Sequence, residues 1–88
     1  MNSEDALEQF RRKFPFAEVY VEETQMRYNF GRNVAFARRF EAEAQALIIN
    51  QHLPLCADLA IWERKGCVLG VQLIIEVVPA EELVEIHS

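Results

Sequence analysis

Two long period-two runs in the last third of the chain constrain its fold more than any other feature. Leu55, Ala57, Leu59 and Ile61 alternate with Cys56, Asp58, Ala60 and Trp62. Cys67, Leu69, Val71, Leu73, Ile75 and Val77 alternate with Val68, Gly70, Gln72, Ile74, Glu76 and Val78. Successive side chains of a strand point to opposite faces, so each run predicts a strand with one aliphatic face. A two-residue loop between them would mix that face with Gly70, Gln72 and Glu76. A three-residue loop, Arg64-Lys65-Gly66, pairs Ile61 with Leu69, Leu59 with Val71, Ala57 with Leu73 and Leu55 with Ile75. It also sets Gly66 where a bulged turn needs positive φ. The three-residue loop is therefore the expectation.

A second hairpin lies upstream. Ala17, Val19 and Val21 alternate with Glu18, Tyr20 and Glu22, and the pattern resumes with Met26, Tyr28 and Phe30. Pairing Val21 with Met26, Val19 with Tyr28 and Ala17 with Phe30 puts all six apolar residues on one face. Glu23-Thr24 lacks the Gly or Asn of a two-residue turn, so a four-residue loop over 22–25 is expected.

Three segments change period. Leu7, Phe10 and Phe14 make one apolar stripe behind Ser3, a candidate N-cap followed by Glu4 and Asp5. Arg11, Arg12 and Lys13 then complement the end of a helix that Pro15 terminates, predicting a helix over about 4–13. After Gly31, Asn33 can cap a second helix running to about Asn50, with Ala37, Phe40, Ala44, Leu47 and Ile48 as its buried stripe. Pro79-Ala80-Glu81-Glu82 reads as the opening of a last short helix, with Leu83 and Ile86 to dock it. The fold class is α+β in the order α-β-β-α-β-β. A four-stranded, mainly antiparallel sheet carries the helices on one face.

The chain has 88 residues. A single domain of that size buries roughly 60–70% of its unfolded surface. One domain over 1–88 is expected. The net charge is −5 and unevenly spread. Residues 11–39 carry seven cations against three acids, while residues 40–88 carry two against eight. The acidic total opposes anionic membranes and nucleic acid. The start of the chain has no signal-like apolar region, and two cysteines without one fit a reducing, cytoplasmic setting.

No motif for catalysis, nucleotide or metal stands out, so no catalytic residue or cofactor is assigned. His52 and Cys56 are four apart, with Cys67 and His87 elsewhere, but Pro54 interrupts the close pair and a structural zinc site needs four converging ligands. Asp58 and Gln72 are cross-strand neighbours in the expected register and form the candidate polar end of a ligand pocket near Trp62 and Tyr20. Arg32, Arg38 and Arg39 form a basic cluster open to a nucleic-acid reading, which the acidic domain disfavours. The face away from the helices is the unusual feature. Tyr20, Trp62, Val68, Ile74 and Val78 point that way, and an uncovered apolar sheet face marks an interaction site. The sequence thus points to a non-enzymatic interaction module, a homodimer through that face or a strand edge, or a binder of another protein. A small-molecule binder or small enzyme is the alternative.

Overall fold

The computed structural model describes residues 3–15, 19–22 and 24–78. Its elements are α1 (Ser3–Lys13), β1 (Val19–Val21), β2 (Gln25–Asn29), α2 (Val34–Asn50), β3 (Leu55–Arg64) and β4 (Cys67–Val77). The four strands form one antiparallel sheet in the order β1-β2-β4-β3. Both β2 and β3 run antiparallel to β4, so they are parallel to each other. Helix α2 connects them, and β4 fills the gap. Within this α+β fold, both helices pack on the same face of the sheet.

Both helices follow their local signals. Helix α1 takes in Ser3 itself, one residue earlier than an N-cap there would allow. It buries Ala6, Leu7 and Phe10, and Glu8 pairs with Arg12 across one turn at 3.6 Å. Helix α2 starts where Asn33 accepts the Phe36 amide at 3.0 Å, which satisfies one of the open N-terminal donors. Its stripe is as expected: Ala37 and Ala44 are buried, and Phe40, Leu47 and Ile48 pack against the core.

The end of α2 explains His52. The His52 amide donates to Ile49 O (3.2 Å) and the Leu53 amide to Ile48 O (3.0 Å). Those two bonds make a Schellman cap, with His52 at the left-handed position (φ 52°) and Leu53 buried behind it. The imidazole sits where a helix normally places glycine.

The core lies between the helices and one sheet face. Cross-strand rows run Met26–Ile75–Ala57 and Tyr28–Leu73–Leu59, with Val71 facing Ile61. Phe10, Phe14, Tyr28, Phe30, Phe36 and Phe40 form a continuous aromatic cluster, their ring centroids 4.7–6.0 Å apart, that joins α1, β2 and α2. Phe10, Met26, Tyr28, Val71, Leu73 and Ile75 are fully buried, each worth about 1.5–3 kcal/mol against exposure.

The first hairpin has the expected register over its described part, with Val19 opposite Tyr28 and Val21 opposite Met26. The Ala17–Phe30 pair lies outside the described residues. The loop is shorter than four residues, because Gln25 already belongs to β2 and its carbonyl accepts the Glu22 amide at 2.8 Å.

The second hairpin departs from expectation. Its turn has two central residues, Lys65 and Gly66, with Arg64 opposite Cys67. Both have positive φ (52° and 79°), as a type I′ turn requires. The ladder then slips: Glu63 faces Val68 but Trp62 faces Gly70, leaving Leu69 as the extra residue of a β-bulge. That one residue restores the alternation a two-residue turn would have inverted. Ile61 therefore faces Val71 rather than Leu69, Leu59 faces Leu73, Ala57 faces Ile75 and Leu55 faces Val77. Beyond the bulge, from Gly70 onward, each strand keeps its expected faces while the pairing moves by two residues; between the turn and the bulge, Cys67, Val68 and Leu69 do not. The expected last helix, at Pro79-Ala80-Glu81-Glu82, lies outside the described residues.

Candidate functional site

The outer face of the sheet is built row by row from this register. The first row holds Trp62 opposite Gly70, and the second Ala60–Gln72–Asn29. The third runs Asp58–Ile74–Arg27–Tyr20, and the fourth Cys56–Glu76–Gln25. Among the described residues no helix lies over these rows.

Strand order redistributes the expected interface residues. Tyr20 is on β1 and Trp62 on β3, the two edges of the sheet, so they wall no common pocket. Val68 sits opposite Glu63, not Trp62, because of the bulge. Ile74 lies between Asp58 and Arg27, not opposite Cys56. Val78 follows β4, its amide donating to Pro54 O at 2.9 Å. Val68, Ile74 and Val78 are half-buried, whereas Tyr20 and Trp62 are 60% and 46% exposed. The face is a polar field with apolar positions set into it, rather than one apolar strip.

The apolar weight gathers at one corner. The bulge brings Leu69, 54% exposed, beside Trp62. With Gly70 and Gln72 they line an open depression of about 370 Å³. The alternation along β4 puts Leu69 in the core, and the in-strand glycine beside it, Gly70, is the local sign of the departure. The indole lies close to Gly70: a Cβ there would stand 3.9 Å from Trp62 Cε3, an ordinary contact.

Gln72 Oε1 at this corner and Arg27 Nε, farther along the sheet on β2, are both shielded from water without a hydrogen-bond partner among the described residues. Buried polar atoms are nearly always paired in finished structures. One acceptor and one donor on this side of the sheet are thus buried without a partner among the described residues.

The remaining candidates are not brought together. Asp58 faces Ile74 and Gln72 faces Ala60, so the expected Asp58–Gln72 pair does not form. Arg32, Arg38 and Arg39 are exposed, on the turn before α2 and on its solvent side. Cys56 and Cys67 are free thiols, and Cys67 is exposed beside the turn rather than facing the core. Among the described residues His, Cys, Asp and Glu form no cluster of metal-binding size, and His87 lies outside them. No described helix is long and apolar enough to cross a membrane. Compared with known proteins, the chain matches no family, no curated protein and no solved structure.

Proposed function

We propose that this domain is a non-enzymatic interaction module that self-associates as a homodimer, with Trp62 as its anchor. The observation carrying this reading is the Trp62–Leu69 corner, two large apolar side chains about half exposed and side by side on a face without helices. Aromatic anchors framed by polar groups are the energetic centres of protein interfaces, and here Gln72, Asp58 and Arg27 supply the frame. Covering apolar surface gains on the order of 25 cal/mol per Å². That is a substantial sum beside the 5–15 kcal/mol or so that holds a domain together.

Light scattering over a range of concentrations tests it. The wild type is expected to be a dimer, and Trp62→Glu a folded monomer by circular dichroism. A wild type that stays monomeric at high micromolar concentration would overturn the proposal.

A further inference from the structure

The outer edge of β3 carries the clearest unused structural potential. Among the described residues β3 pairs only with β4, although it is ten residues long. The opposite edge strand, β1, has three. Natural sheets blunt exposed edges with proline, lysine, bulges or very short strands, because an open row of amides and carbonyls templates another strand. Leu55–Arg64 contains no proline or lysine, its charges are Asp58, Glu63 and Arg64, and the bulge in this hairpin belongs to β4.

We propose that β3 pairs antiparallel with β3 of a second copy, merging two four-stranded sheets, about a two-fold axis through Ile61. This rests on the self-association reading and specifies its geometry. Two-fold symmetry keeps both outer faces on one side, so only registers that match those faces are allowed. Among them, centring on Ile61 is the register that sets Asp58 opposite Arg64 of the partner subunit, twice by symmetry. Both are exposed, and neither has an ion-pair partner among the described residues. The same register places Ala60 opposite the partner's Trp62, the small residue facing the large one. Shifting by one step either way sets Trp62 against the partner's Asp58 or against the partner's Trp62. Charge and size are complementary in the same arrangement, as cross-strand pairs require. The half-exposed indole then gains cover at the seam.

Charge reversal tests the register. Asp58→Arg and Arg64→Asp each put like charges opposite one another and should weaken the dimer about tenfold or more, by sedimentation equilibrium. The double variant, carrying both changes, should return to near wild-type affinity. A second test places one cysteine in a Cys56→Ser, Cys67→Ser background. Ile61→Cys should oxidise to a covalent dimer, because opposite Cα atoms lie about 4.5–5.5 Å apart in either antiparallel pair type. Leu59→Cys should not. A double variant no tighter than the singles, or cross-linking through Leu59→Cys instead, overturns the proposed register. A dimer that dissociates on Trp62→Glu but ignores both charge reversals overturns edge pairing and leaves self-association standing. A monomeric wild type overturns both.

Discussion

Trp62 lies directly opposite Gly70 across the β3–β4 ladder, its indole one van der Waals contact from where a Cβ on residue 70 would stand. A Cβ on Gly70 would sit 3.8 Å from Gly31 O and 3.9 Å from Trp62 Cε3, both ordinary contacts. Alanine therefore fits without displacing the ring. It also removes the entropy cost of glycine inside a strand, so Gly70→Ala should stabilise the fold by about 0.5–1 kcal/mol in urea melts. Gly70→Val adds γ carbons that must push the indole aside, and should lose that gain. A destabilising alanine would mean that the indole sits closer to the backbone than this geometry has it.

The type I′ turn supplies a paired prediction. Lys65 and Gly66 both hold positive φ, yet only glycine does so without steric cost. Gly66→Val should destabilise by about 1 kcal/mol or more, through the backbone alone, because nothing lies within 4 Å of its Cβ position. Lys65→Asn creates the favoured Asn-Gly turn and should stabilise by roughly 0.5 kcal/mol. Chemical denaturation of the two variants checks both signs. Two substitutions with equal, negligible effects would show that the turn is not type I′.

Where the sequence was legible, it was through local periodicity. The faces of β2 and β3, that of β4 beyond the bulge, the stripe of α2 and the Asn33 cap all follow from residue spacing. What failed were the bulge and the strand order. Leu69 has the same alternating pattern as its neighbours, and Gly70 beside it hints at a bulge without fixing the register until the turn closes on Lys65-Gly66. The two-residue slip that follows is invisible to a face argument, because an even shift keeps every side chain on its side. Strand order is the second. Placing β4 between β2 and β3 sends Tyr20 and Trp62 to opposite edges, and no local pattern in either hairpin encodes that choice.

His52 offers a test of its structural role. It holds the left-handed C′ position of the cap that ends α2, and its backbone makes the motif's bonds. His52→Gly should therefore stabilise by about 1 kcal/mol, while His52→Ala should change stability by less than about 0.5 kcal/mol. Thermal melts distinguish this from a chemical role for the imidazole, under which glycine and alanine would behave alike.

Tyr28 gives the fold a predictable alkaline limit. Its side chain is wholly buried within the aromatic cluster, in edge contact with Phe10 and 5.3 Å from the Phe40 ring. Burial pushes its phenol up from 10.0 to about 12, partly offset by the positive charge of Arg11. A buried phenolate loses its hydration, so the folded state holds the proton more tightly than the unfolded chain does. The unfolded chain therefore releases this proton first as pH rises. The contribution is intact below about pH 10 and is lost progressively as pH rises towards about 12, by roughly 2 kcal/mol over the two units. Urea midpoints should accordingly hold steady with respect to this group through neutral pH, then fall across that window. Tyr28→Phe keeps the ring and removes the titrating hydroxyl. The difference between wild type and variant should therefore be flat below about pH 10 and shift in favour of the variant above it. A difference that stays constant across the whole alkaline range would place the hydroxyl in contact with water and overturn the burial of Tyr28.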